Sequence, residues 1–66
     1  MRIQLNGTEH EVCAGTTVAE LILEAGLPPE QVAVEINREL VPRADRAARP
    51  LAADDRVEIV TLVGGG

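Results

Sequence analysis

The sequence contains no aromatic residue, so any hydrophobic core has to be built from Val, Leu, Ile and Ala. A chain of 66 residues forms one small domain, and a domain of this size buries only about 60% of the surface that the unfolded chain exposes. The composition therefore predicts a single domain of modest stability, without room for an enclosed active-site cavity beside its core.

Lysine is also absent, and cysteine occurs once. Without lysine the chain has no internal amine to which further copies of itself could be joined. One cysteine cannot form an intramolecular disulfide, and the sequence has neither an 18-residue apolar run nor a charged-then-apolar leader. These absences predict a cytoplasmic protein that does not interact with a membrane.

Basic residues are scarce. The chain carries 6 of them against 11 acidic residues, which gives a net charge of −5. A protein of that sign gains nothing from the phosphate attraction that drives nucleic-acid binding. We therefore expect its partners to be proteins with basic or apolar surfaces, and not nucleic acids.

Two side chains, Cys13 and His10, could carry chemistry. Cys13 has no partner motif, and we interpret it as a small, partly buried apolar residue. His10 lacks neighbouring metal ligands at a suitable spacing, so we expect it on the surface or at a strand edge. The sequence therefore predicts no catalytic residue, no metal site and no bound cofactor.

The N-terminal half predicts a hairpin. Residues 1–6 alternate as a half-buried strand does, and the Asn6-Gly7 dipeptide favours a two-residue type I′ turn. Residues 8–12 should then return antiparallel to the first strand.

A helix of about eight to ten residues should follow. Thr17 and Glu20 fit a capping box at its start, and Gly26 followed by Pro28-Pro29 suits its end. Its apolar stripe consists of Val18, Leu21, Ile22 and Ala25.

The C-terminal half predicts further strands. Apolar and other side chains alternate at residues 32–36, as in a strand with one buried face. Residues 39–41 suit a short edge strand that Pro42 ends. Residues 43–50 have no clear period and suggest a surface turn or a short helical turn. Leu51 should fill the core. Asp54-Asp55 then leads into a last strand at 56–63. The element order predicts an α+β sheet with one helix on one face.

The last predicted strand runs directly into Gly64, Gly65 and Gly66. Glycine adds no side chain to a core and is the residue whose ordering costs most entropy, so stability does not explain this tail. A frayed end or a cloning remnant is one interpretation. The other is a terminal carboxylate that has to enter a narrow space, where any Cβ would clash.

A docking patch is predicted beside this tail. Val57, Ile59 and Thr61 share the face that packs on the helix, whereas Glu58, Val60 and Leu62 lie on the opposite face. Single exposed apolar residues are common. Two of them next to a glycine tail favour a surface that contacts a partner, with Val60, Leu62 and Glu58 as its residues.

Five stretches of the sequence together match a known pattern. They are Ile-Gln-Leu-Asn-Gly at 3–7, Gly-Thr-Thr-Val-Ala-Glu-Leu at 15–21, Ile-Asn-Arg-Glu-Leu-Val-Pro-Arg at 36–43, Asp-Arg-Val-Glu-Ile-Val at 55–60 and the terminal Gly-Gly. In their order and spacing they resemble the ThiS family, the sulfur carrier proteins of bacterial thiamine thiazole biosynthesis. Two departures are the missing glycine in the Asp54-Asp55 turn, where the family often has Asp-Gly-Asp, and the third glycine of the tail.

The resemblance covers essentially the whole chain and implies a ubiquitin-like β-grasp fold, with a mixed sheet of four to five strands and one helix packed on one face. It further implies one domain at 1–63 and a flexible tail at 64–66. A ubiquitin-activating-like adenylyltransferase would join the Gly66 carboxylate to AMP. Sulfur from a cysteine desulfurase or rhodanese-type donor would then give a thiocarboxylate, which thiazole synthase accepts. Gly64 and Gly65 would be threaded into these enzymes.

Other functions share this fold. The chain could carry sulfur for molybdopterin or cysteine synthesis, although those carriers are usually longer. It could also be a ubiquitin-like modifier joined to lysines of target proteins, or a non-covalent β-grasp interaction module. A pure interaction module has no need of a Gly-Gly end. In each of these readings the chain is a substrate or a binding protein and not an enzyme.

Overall fold

A computed structural model describes residues 1–62, and the glycine tail lies outside the described residues. Residues 1–62 form five β-strands, one α-helix and two 3₁₀ helices. In chain order the elements are β1 Arg2–Leu5, β2 Thr8–Glu11, α1 Val18–Glu24, a first 3₁₀ helix Pro29–Gln31, β3 Val32–Ile36, β4 Glu39–Leu40, a second 3₁₀ helix Arg43–Ala48 and β5 Arg56–Thr61.

The strands form one mixed sheet in the order β2-β1-β5-β3-β4. β1 pairs antiparallel with β2 and parallel with β5, and β3 pairs antiparallel with both β5 and β4. The last strand of the chain is therefore the central strand of the sheet. The predicted α+β architecture, a mixed sheet with one helix, is confirmed.

Both hairpin turns adopt a left-handed backbone. Asn6 and Gly7 have φ angles of 51° and 82°, as a type I′ turn requires at its two central residues, and Asn37 and Arg38 have φ angles of 53° and 70°. Asp54 also adopts a positive φ, of 68°. An aspartate thus supplies the left-handed conformation in a turn where a glycine would be the usual choice.

The capping box of α1 is present. Thr17 Oγ1 accepts a hydrogen bond from the backbone N–H of Glu20, and Glu20 Oε1 accepts one from the N–H of Thr17. The helix is shorter than predicted, because it ends at Glu24 and Gly26 takes a φ of 73°. Ala25 is therefore the exposed C-cap residue and not a member of the buried stripe. No helix in residues 1–62 has the length and apolar character needed to cross a bilayer.

The core lies between α1 and one face of the sheet, and it is built from aliphatic side chains. Its buried members are Ile3, Val12, Val18, Leu21, Ile22, Val32, Val34, Ile36, Val41, Leu51, Val57 and Ile59. Leu51 is buried as predicted. Cys13, by contrast, is exposed, so our interpretation of it as a partly buried apolar residue is wrong. Val12 takes the buried position, and the next side chain along an extended backbone points to the opposite side.

Arg46 is the unexpected member of the interior. Only 7% of its surface is exposed, although we expected a surface turn or a short helical turn from 43 to 50. Its Nη1 donates to the carbonyl of Pro29 (2.9 Å) and its Nη2 to the carbonyl of Val32 (2.7 Å), while Nε has no partner in the described residues. The guanidinium thus joins the second 3₁₀ helix to the start of β3.

Two asparagines from the hairpin turns hold β5 in the sheet. Asn6 Oδ1 accepts from the N–H of Ile59 (2.9 Å), and Asn6 Nδ2 donates to the carbonyl of the same residue (3.1 Å). Asn37 Oδ1 accepts from the N–H of Arg56 (3.0 Å), and Asn37 Nδ2 donates to Asp55 (3.1 Å). The chain turns away from β5 after each of these asparagines, so β1 and β3 provide no further backbone partner there. The asparagine side chains supply hydrogen bonds in its place.

Asn6→Gly should lower the free energy of unfolding by about 1–2 kcal/mol, because glycine keeps the left-handed turn but leaves both backbone groups of Ile59 without their partner. Urea unfolding followed by circular dichroism measures this change in a chain that has no aromatic fluorophore. Arg38→Gly is the matched control, since Arg38 also has a positive φ and its side chain makes no hydrogen bond within residues 1–62. Equal effects of the two substitutions would contradict this role of Asn6.

Candidate functional site

The sheet face opposite α1 is the candidate functional surface, and it carries exposed apolar side chains near the end of β5. Val60 and Leu62 are each 54% exposed. Val60 lies opposite Ala33 of β3, and the N–H of Leu62 donates to the carbonyl of Gln31 (2.6 Å). Pairing with the β3 side therefore continues to the last described residue, and both predicted docking side chains lie on the outer face.

Leu40 joins this surface, although the sequence analysis did not assign it there. It is 66% exposed on β4 and lies opposite Glu35, which in turn lies opposite Glu58. Residues directly opposite one another share a face. We call Leu40, Ala33, Val60 and Leu62 the outer patch. The signal that could have revealed Leu40 is its neighbour Val41, which is buried and therefore requires Leu40 to point outward.

Glu58 lies on the outer face as predicted, directly opposite Glu35. Two like charges in this position destabilise a sheet. The ion pairs within residues 1–62 involve the N-terminal amine and Arg2 with Glu9 and Glu11, so neither carboxylate of the Glu35–Glu58 pair has a salt-bridge partner there. A basic group of a partner protein placed at this pair would relieve the repulsion.

Concave regions also occur on the described surface. An apolar groove of about 270 Å³ runs between α1 and the two 3₁₀ helices, with Ile22, Leu23 and Arg46 in its lining. A polar depression of about 290 Å³ lies near the two hairpin turns, and its lining includes Arg56 and Glu58 of the outer face of β5. Neither Cys13 nor His10 lines either of them. We assign the functional surface to the outer patch because its leucine and valine side chains are exposed and include the described residue nearest in sequence to the glycines.

The two side chains considered for chemistry are apart from the outer patch. His10 lies on β2, which is an edge strand, as predicted, and its side chain is half-buried there. Cys13 lies in the connection between β2 and α1. Within residues 1–62 no three His, Cys, Asp or Glu side chains come close enough together to hold a metal ion.

The predicted attachment point, Gly66, and the threaded residues Gly64 and Gly65 lie outside the described residues. The described residues include β5 and Leu62, which precede them in the sequence. β5 is hydrogen-bonded on both sides over its first half, and Leu62 remains bonded to the segment before β3. In the sequence, the glycines thus begin three residues after Thr61, the last residue of the central strand.

Known proteins resemble this chain along its full length. A family model described as the ThiS family matches residues 2–66. The crystal structure of a thiamine biosynthesis protein (ThiS) from Geobacter metallireducens superposes with a TM-score of 0.87 at 30% sequence identity, and the match covers 100% of both chains. This agreement confirms the β-grasp fold.

Two curated relatives are proteins named thiazole synthase. The one from Magnetococcus marinus is 46% identical over 66 residues, and the one from Paramagnetospirillum magneticum is 39% identical over 66 residues. In each case the match covers 100% of this chain but 20% of the relative. The chain therefore spans about a fifth of the length of these two relatives.

Proposed function

The chain belongs to the ThiS family, and from that premise we propose that it is a sulfur carrier for thiazole biosynthesis, with Gly66 as the residue that bears the sulfur. The observation that carries the proposal is the match of the family along residues 2–66, which includes the terminal glycines. The described residues add a folded body whose central strand leads to those glycines.

The chemistry follows from the properties of a carboxylate. A carboxylate repels nucleophiles, so the Gly66 oxygen first attacks the α-phosphorus of ATP and pyrophosphate leaves. The product is a mixed anhydride with AMP, whose carbonyl carbon is electrophilic. The outer sulfur of a protein persulfide attacks that carbon and AMP departs, which gives an acyl disulfide. A thiol then attacks the donor protein's sulfur in that disulfide, which forms a new disulfide between the thiol and the donor and releases the thiocarboxylate as the cargo. With hydrosulfide as the nucleophile, AMP departs and loss of a proton gives the thiocarboxylate directly.

In this proposal the chain is a cosubstrate and not an enzyme. An adenylyltransferase resembling ubiquitin-activating enzymes binds ATP, a cysteine desulfurase or rhodanese-type protein delivers sulfur, and thiazole synthase receives it. The two relatives named thiazole synthase support the last of these partners, because a domain like this chain forms part of them. All of these steps belong in the cytoplasm, and the cofactors belong to the partner enzymes.

The length of the tail suits delivery into a narrow channel. Three residues in an extended conformation span at most roughly 10 Å, enough for the Gly66 carbonyl to enter an active site while the folded body stays outside. Glycine at 64 and 65 provides the clearance, since any Cβ would narrow the passage.

The outer patch supplies the docking contacts in this proposal. Its exposed leucines and valine present apolar surface beside the point where the tail begins. The Glu35–Glu58 pair on the same face attracts a basic group of the partner. Charge of this kind contributes mainly to the rate of encounter and to specificity, and the apolar contacts contribute to affinity.

Incubation of the 66-residue chain with its adenylyltransferase, ATP and sodium sulfide should raise its intact mass by the difference between one sulfur and one oxygen atom. Fragmentation in the mass spectrometer should place the change on Gly66. The chain lacking Gly66 is the control, and it should keep its circular dichroism spectrum but gain no mass. Conjugates with lysines of other proteins, without the sulfur adduct, would support a modifier instead.

Leu62→Asp should weaken binding to the adenylyltransferase or to thiazole synthase by at least about tenfold, because it places a charge in the apolar part of the proposed contact. Leu23→Asp is the matched control, since Leu23 is a leucine with 64% exposure on α1, on the helix side of the sheet. Isothermal titration calorimetry compares the two. Equal losses of affinity would argue against the outer patch as the docking surface.

A further inference from the structure

The backbone of Thr61 is open on one side of β5. The N–H of Asn37 donates to the carbonyl of Arg56, and the N–H of Leu62 donates to the carbonyl of Gln31. Because backbone groups alternate in direction along a strand, the N–H and C=O of Val57, Ile59 and Thr61 point away from β3, toward the side that β1 occupies.

β1 and the turn after it provide hydrogen-bond partners on this side for Val57 and Ile59, but not for Thr61. The N–H of Asn6 donates to the carbonyl of Val57 (2.9 Å), and the Asn6 side chain bonds both backbone groups of Ile59. The register between β1 and β5 ends at Leu5 opposite Val57. Within residues 1–62 nothing pairs with the outward N–H and C=O of Thr61, which is exposed.

β2 and β4 form the two outer edges of the sheet, and both differ from the open side of Thr61. On β2 the ion pairs between Arg2 and both Glu9 and Glu11 place charged side chains along the edge. β4 is two residues long, and Pro42 follows it closely. Charge, short length and proline are the usual means by which edges avoid pairing with another chain. The edge at Thr61 is also short, but it carries neither a proline nor a charged residue, and its neighbours Val60 and Leu62 are apolar.

We propose that an extended segment of thiazole synthase adds to the sheet at Thr61. Its backbone accepts from the N–H of Thr61 and donates to the carbonyl of Thr61, as in other cases of strand addition. The side chains that flank this contact lie on Val60 and Leu62, and a basic residue of the segment lies near Glu58. The identity of the partner rests on the proposed function, whereas the mode of contact rests on the open edge.

Strand addition at this place orients the end of the chain. Thr61 precedes Gly66 by five residues in the sequence, so a partner strand that holds Thr61 fixes a position close in sequence to the glycines. Backbone hydrogen bonds do not depend on side-chain identity, so they require only that the partner segment is extended. Specificity for one partner comes from the side chains of the outer patch.

Thr61→Pro tests the contact, because proline removes the outward N–H while no bond to β3 uses that group. Thr61→Val keeps the N–H and serves as the matched control. With purified thiazole synthase of the same organism, calorimetry should show about tenfold weaker binding for Thr61→Pro, as expected for loss of a hydrogen bond. Thr61→Val should stay within about twofold of the unsubstituted chain.

Hydrogen exchange provides a measurement that needs no substitution. The Thr61 amide should exchange at least about tenfold more slowly in the complex, because the added strand accepts its hydrogen bond. Glu9 is the control amide, since the register of β2 turns its N–H away from β1 into solvent. Its exchange should not change on binding.

The outcomes separate the mode of contact from the choice of partner. If the unsubstituted chain binds thiazole synthase but the Thr61 amide stays unprotected, or Thr61→Pro binds as well as Thr61→Val, the strand addition is wrong and the proposed function stands. If the unsubstituted chain does not bind thiazole synthase at all, the proposed partner is wrong and the inference falls with it.

Discussion

The pairing of β5 with a strand on each side is the constraint on which the rest of this fold depends. β1 and β3 come from distant parts of the sequence, and both align on the last strand of the chain. Neither neighbour is long enough to complete the pairing, so Asn6 and Asn37 extend it with their side chains. The core under α1 forms only when this strand is in place, because Val57 and Ile59 belong to it.

Placing the terminal strand at the centre also determines how the chain meets other proteins. On the inner face of β5, Val57 and Ile59 belong to the core, which leaves the outer face and the open side of Thr61 for a partner. The apolar contacts of Val60 and Leu62, the uncompensated Glu35–Glu58 pair and the free backbone groups lie within a few residues of one another. In the proposed carrier function, these contacts present the terminus of the chain to the enzymes that perform the chemistry.

Local patterns predicted the elements well. The Asn6-Gly7 turn, the Thr17–Glu20 capping box and the alternation at 32–36 each depend on neighbouring residues, and each is present in the structure. One local pattern was extended too far, because α1 ends before Ala25. The other errors and omissions concern tertiary contacts. Arg46 is buried because two backbone carbonyls lie within reach of its guanidinium, which no local pattern reveals. Cys13 and Leu40 are exposed because Val12 and Val41 take the adjacent core positions.

Transfer of labelled sulfur tests the central claim most directly. The chain would be loaded with ³⁵S by its adenylyltransferase, separated from free sulfide and mixed with thiazole synthase and its other substrates. If the chain is a carrier, the label moves from Gly66 into the thiazole product, with one sulfur transferred per chain, and leaves the chain with its original carboxylate. Label that remains on the chain while thiazole forms from another sulfur source would contradict the proposal.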